Sequence, residues 1–119
     1  MKEIITKDIN YKIPKEGEYH IIYKRDNNKI DYEEYYLNGE CHRDNNLPAY
    51  ISYYLNGKIY SEIYFLNGLI HRDNNLPAII SYYENGTINS EKYYLNGIQY
   101  SKEDYIKQLR ILKIKKILE

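Results

Sequence analysis

The chain is 119 residues long, with Lys+Arg 17 matched by Asp+Glu 17 for a formal net charge of +0, so no global field steers it onto nucleic acid or an anionic membrane. Tyrosine occurs 17 times against Phe 1 and Trp 0; its ring favours strands and its hydroxyl tolerates water, so the composition suits a sheet that is stable while half wet. Cys41 has no second cysteine to pair with, MKEIITKDIN lacks the apolar run of a secretory signal, and no stretch approaches a membrane span, which together predict a single domain in a reducing cytoplasm with no membrane span.

Residues 1–17 are the least repetitive portion, Lys and Glu mixed with Ile and Tyr and punctuated by Pro14 and Gly17, and read as an N-terminal cap. From Glu18, EYHIIYKRDNNKIDYEEYYLNG shows an apolar run, a polar turn at Asp26-Asn27-Asn28 and a run into Asn38-Gly39. It reads as an atypical first copy, as terminal repeats often are. Two clear units follow, from Tyr32 to Tyr60 and from Ser61 to Asn89. Within them YYLNGECHRDNNLPA, Tyr35 to Ala49, returns as YFLNGLIHRDNNLPA, Tyr64 to Ala78, and begins again at Tyr93, at a constant offset (67 − 38 = 29, 71 − 42 = 29). A fixed offset of this size marks a repeat architecture.

Asn-Gly closes the apolar runs at Asn38-Gly39, Asn56-Gly57, Asn67-Gly68, Asn85-Gly86 and Asn96-Gly97. The pair suits a type I′ turn, with positive φ at both central residues and a tight antiparallel hairpin around it. AYISYYL and KIYSEIYFL, between such turns, have strand length, and too few residues separate the breakers for helices. The other turn, Asp44-Asn45-Asn46-Leu47-Pro48, recurs as Asp73-Asn74-Asn75-Leu76-Pro77; Asn tolerates left-handed geometry and the proline fits the first residue of a strand. Past Asn96-Gly97, Ser101-Lys102-Glu103-Asp104 is a cap-like opening to DYIKQLRILKIKKILE, a helix. The fold expected is mainly β, an elongated antiparallel β-meander of hairpin repeats with a C-terminal α-helix: one domain over 1–119, with a cap at 1–17, repeats at 18–100 and the helix at 101–119.

Two-residue loops set the register. Ala49 falls opposite Tyr64, Tyr64 opposite His71, Ile51 opposite Glu62, and Ile80 opposite Glu91, so these residues share a face with Tyr35, His42, Glu33, Tyr93 and Tyr100. The reverse face carries Tyr36, Phe65 and Tyr94 with Tyr50, Ile59, Ile63, Ile70, Ile79 and Ile88. It is the more apolar and is expected to be the core.

His42-Arg43-Asp44 and His71-Arg72-Asp73 spell the opening of a kinase catalytic loop, but each runs into Asn-Asn-Leu-Pro-Ala, no glycine-rich nucleotide loop accompanies them, and the phrase occurs twice. Arg and Asp satisfying a turn explains it. Glu62, Tyr64 and His71, with copies Glu33, Tyr35 and His42, have the residue types of an acid/base pair or a metal site; repetition argues against both, since active sites are usually singular and ladders recur with the fold. The same row suits a binding groove, because aligned tyrosines bring contact area at low entropy cost. The candidate partner-binding or ligand-binding residues are Glu33, Tyr35, His42, Tyr60, Glu62, Tyr64, His71, Glu91, Tyr93 and Tyr100, with no catalytic residue, cofactor or metal expected. Lys107, Arg110, Lys113, Lys115 and Lys116 spread around the helix instead of lining one stripe, which makes nucleic acid an unlikely partner. Its apolar residues fall on two sides, Tyr105, Leu109 and Leu112 against Ile111, Ile114 and Leu118, as in a helix with two neighbours, the sheet end and a second molecule.

Tyr82-Tyr83-Glu84-Asn85-Gly86-Thr87 through Tyr93-Tyr94-Leu95-Asn96-Gly97 is similar to variant MORN-type repeats, whose units read Tyr-Tyr-x-Asn-Gly, a strand, then another such turn. The phrase His-Arg-Asp-x-x-x-Pro-Ala resembles that of repeat proteins common in large DNA viruses and phages. The resemblance covers about residues 32 to 100. It implies a single-layer β-meander serving in scaffolding, protein association and in some cases lipid attachment, and a host-cytoplasm location for a viral member. The expected function is a non-enzymatic module that binds another protein or its own copy. The alternative is a sequestering inhibitor that holds a small aromatic or nucleotide-like ligand in the tyrosine groove.

Overall fold

Turn chemistry recurs so often that strands stay short. In the computed structural model, which describes residues 1–119, they are β1 (Lys2–Thr6), β2 (Glu18–Lys24), β3 (Ile30–Leu37), β4 (Glu40–Cys41), β5 (Tyr50–Tyr53), β6 (Ile59–Ile63), β7 (Phe65–Leu66), β8 (Leu69–Ile70), β9 (Ile79–Tyr82), β10 (Ile88–Leu95) and β11 (Ile98–Tyr100), followed by α1 (Lys102–Leu118). The protein is mainly β, as expected, with a mostly antiparallel sheet of hairpin strands and one C-terminal helix. The main sheet runs β1-β2-β3-β5-β6-β9-β10-β11; β4 pairs with β3, and β7 with β8, beside that path.

Each unit therefore uses its long strand twice. The first half joins the main sheet, as Glu33 does opposite Ile51 and Glu62 opposite Ile80. The second half folds into a short hairpin, Tyr36 opposite Cys41 and Phe65 opposite Ile70. These hairpins stack on one another: Gly68 N–H donates to the Cys41 carbonyl at 2.9 Å and Gly97 N–H to the Ile70 carbonyl at 2.8 Å. Successive copies are thus stitched backbone to backbone at two levels.

The Asn-Gly turns divide into two kinds, which corrects the expectation of one. Asn38, Asn67 and Asn96 have φ of 49°, 50° and 49°, each followed by a glycine at φ 81° to 83°, as a type I′ turn requires. Asn56 and Asn85 do not have positive φ; only Gly57 (85°) and Gly86 (89°) do. There Gly57 N–H bonds the Tyr54 carbonyl at 3.0 Å and Tyr54 N–H bonds the Lys58 carbonyl at 2.8 Å, a three-residue loop with glycine in the bulge position. The asparagine serves through its side chain, its Oδ1 accepting from Lys58 N–H at 2.9 Å. Asn28, at φ 66°, holds the glycine position in the first copy. The pairing expected from two-residue loops survives, Ile51 opposite Glu62 and Tyr50 opposite Ile63, because Tyr60 bulges out of β6 and restores the residue that the longer loop removes.

Two further findings depart from the sequence reading. Lys2–Thr6 inside the cap is a strand, parallel to β2, so residues 7–17 cross back along the sheet. More consequentially, most of the core lies on the face expected to be open. Ala49 and Ala78 are 0% exposed, and Tyr35, Tyr64, His71, Ile80 and Tyr93 are all buried on that side. The face expected as core is buried at its first-copy end, at Ile21, Tyr23 and Ser52, but only half-buried at Tyr36, Ile59, Ile63, Phe65, Ile70, Ile79 and Tyr94, and Ile88 is exposed. Connectivity is the cause: the His-Arg-Asp loops return from the short hairpins over the tyrosine side and cover it, whatever the other side's apolar count. At the end of the array α1 replaces the next loop. Tyr105 and Leu109 pack against Tyr93 and Leu95, while residues 110–118 are exposed.

Candidate functional site

The expected groove is partly covered from within the protein, leaving a cavity of about 320 Å³ between the two His-Arg-Asp loops, lined by Arg43, Leu47, Tyr64, His71 and Arg72. Tyr35 lies under the Arg43 guanidinium at 3.8 Å and Tyr64 under Arg72 at 3.7 Å; each guanidinium also donates to a carbonyl of its own loop, Pro48 and Pro77, at 3.1 Å. Tyr93 lacks an arginine and meets the Tyr105 ring of the helix, at 5.1 Å between centroids. Tyr100 is half-buried beside it.

The histidines act as clasps between copies. His42 Nδ1 accepts from Asn67 N–H at 2.9 Å and His71 Nδ1 from Asn96 N–H at 2.8 Å. With that nitrogen an acceptor, Nε2 carries the proton and donates to Asp44 and Asp73, each at 2.9 Å. Glu33 and Glu62 accept from Tyr53 and from Tyr82, the latter at 2.5 Å, and Glu33 also meets His20 Nε2 at 2.7 Å. Of the ten residues expected to bind a partner, only Tyr60 and Glu91 are exposed, and they do not meet. No group of three His, Cys, Asp or Glu side chains is arranged to hold a metal ion.

The reverse face shows something the sequence reading passed over. Position 52 in the first unit and positions 61, 63, 65, 70 and 79 in the second are Ser, Ser, Ile, Phe, Ile and Ile, whereas one repeat earlier they are Tyr23, Tyr32, Glu34, Tyr36, Cys41 and Tyr50. Register gathers these six. Tyr23 pairs with Tyr32, Glu34 with Tyr50, and Tyr36 with Cys41, on three neighbouring strands and their hairpin. The Tyr23 and Tyr32 rings stack at 4.3 Å and 16°, and Tyr32 and Tyr50 at 5.6 Å and 28°. Beside this row Tyr36 donates its hydroxyl to Glu34 Oε2 at 2.8 Å.

Burial raises the pKa of Tyr23, Tyr32, Tyr36 and Tyr50, and the Glu34 carboxylate pushes each the same way. Cys41 is pushed up to about 12, first by burial and then by Glu34. The tyrosines thus stay neutral donors around one carboxylate. Glu34 is half-buried and takes part in none of the protein's ion pairs. Subtracting one copy from the next, position by position, would have revealed this cluster in the sequence; reading the copies for their likeness concealed it.

No family model, curated protein or solved structure matches the chain. No helix is long and apolar enough to cross a membrane.

Proposed function

We propose that the chain is a non-enzymatic, MORN-like repeat module that binds a protein partner through the reverse face of its first unit, around Tyr32, Glu34, Tyr36 and Tyr50. The observation that carries this reading is the departure of one copy from the other: a repeat is held to its pattern by stacking, and the second unit demonstrates that Ser and Ile satisfy the same backbone positions. Tyrosine in place of those residues adds contact area with little flexibility and is enriched at interfaces. A scaffold or association role follows from the same repeat construction. Support for a non-catalytic reading is that His42 and His71 are engaged in hydrogen bonds that hold neighbouring copies together, and that Glu33 and Glu62 each accept from a tyrosine of their own unit.

The second unit provides the test variant. Tyr32→Ser, Glu34→Ile and Tyr50→Ile together install its residues in the first. Affinity capture from cells that naturally express the protein, run beside the unaltered chain, should lose the captured partner while circular dichroism stays the same. The same partner retained by a folded triple variant would refute the assignment of this face.

A further inference from the structure

We infer that the partner meets Glu34 with an arginine side chain, whose guanidinium pairs with the carboxylate and lies against the tyrosine row; this rests on the protein-binding reading above. Three observations converge on it. First, Glu34 is a half-buried carboxylate with a hydroxyl donor, Tyr36, on Oε2 and no cation of this chain on either oxygen. Partial desolvation of a charge without a counter-charge is unfavourable, and a cation arriving from outside relieves it.

Second, the position is unique in the array. Its equivalents are Ile63 and Lys92, so the carboxylate does not serve the repeat and the neighbouring copies present either no charge or the opposite one. A cationic group is thereby directed to the first unit alone. Third, the half-buried rings of Tyr32 and Tyr50, backed by the buried Tyr23, end beside that carboxylate, Tyr50 being directly opposite Glu34 in the sheet.

Aromatic faces with an adjacent carboxylate select guanidinium over ammonium. The guanidinium is planar, stacks on a ring and forks onto two oxygens, while an ammonium is a compact, strongly hydrated point charge. The protein uses this chemistry internally on its other face, where Arg43 and Arg72 sit on Tyr35 and Tyr64 at 3.8 and 3.7 Å. On the reverse face the tyrosines and the acid are supplied and the arginine is not.

The test is a titration of the ¹⁵N-labelled protein with N-acetylarginine amide, N-acetyllysine amide and N-acetylcitrulline amide, the last being the neutral isostere of the first. Saturable shifts are expected at the amides of Glu34, Tyr36 and Tyr50 with the arginine compound, roughly tenfold weaker binding with lysine, and none with citrulline. Glu34→Gln, of the same shape, should remove the arginine response while leaving the rest of the spectrum in place. Absence of saturable shifts at these residues, an equal response to citrulline, or a response that survives Glu34→Gln overturns the proposal. The comparison of arginine with citrulline uses the unaltered protein, so it stands whatever the variant does. If Glu34→Gln keeps the native partner and the triple variant loses it, the arginine contact falls and the binding face stands; if the triple variant keeps the partner, the face itself falls.

Discussion

At the scale of single residues, His71 illustrates how a side chain with catalytic chemistry is used for construction. It is 9% exposed, accepts from the Asn96 N–H and donates to Asp73. Replacing it by phenylalanine keeps the volume roughly and leaves a backbone N–H without a partner, which should cost about 1–3 kcal/mol in urea unfolding; an unchanged midpoint would show that the clasp contributes nothing. A second residue-scale expectation concerns alkaline pH. Tyr35, Tyr36, Tyr53, Tyr64 and Tyr82 have pKa values raised chiefly by burial, Tyr36, Tyr53 and Tyr82 also by bonds to Glu34, Glu33 and Glu62. The folded chain then keeps phenolic protons that the unfolded chain releases near pH ~10. Their contribution to stability is complete below that pH and is lost as pH climbs toward the raised folded values. Denaturant midpoints should hold to about pH 9.5 and fall beyond it, with tyrosinate absorbance at 295 nm rising in step with unfolding. Ionisation of the full set with the circular dichroism unchanged would contradict this. The histidine and tyrosine identities were plain in the sequence. The burial of Tyr35 and Tyr64 was not, because it depends on a guanidinium that reaches each ring from a loop several residues away.

At the scale of elements, one dipeptide does two jobs. Asn67 sits at φ 50° in a type I′ turn, so Asn67→Ala forces a side chain with a Cβ and no hydrogen-bonding group into the left-handed region at about 1–2 kcal/mol. Asn56 has no positive φ and contributes a side-chain acceptor to Lys58 N–H, so Asn56→Ala should cost less, about 0.5–1 kcal/mol. Equal losses in paired unfolding curves would mean that the two turns are alike after all. The helix start was fully legible: Ser101 Oγ accepts from Asp104 N–H at 3.1 Å, and Ser101→Ala should lower stability by about 1 kcal/mol. What α1 covers was legible only in part. Tyr105 and Leu109 were expected on one side together with Leu112, and the first two are buried while Leu112 is 40% exposed, because the sheet ends before the third turn of the helix.

At the scale of the whole molecule, the protein is a short linear array in which each copy touches its neighbours, extending 51 × 37 × 20 Å. Stability in such an array is approximately a sum of unit and interface contributions. Inserting a second copy of residues 61–89 after Asn89 should therefore give a folded, longer protein with a higher midpoint of thermal unfolding, whereas a molten or less stable product would show that the copies are not interchangeable in the stack. The amino-acid sequence alone determined the repeat, the hairpin strands from Glu18 onward and the places of their turns, the capped helix and the pairing of Ile51 with Glu62, since these follow from backbone preferences and spacing within a few residues. Only the tertiary structure decided which face is closed, since that depends on the side over which the returning loops pass, a long-range choice that apolar counting along a strand does not encode. Arg43, Arg72 and Tyr105 lie over the tyrosine side, and on the reverse side Glu34 stands without a counter-charge.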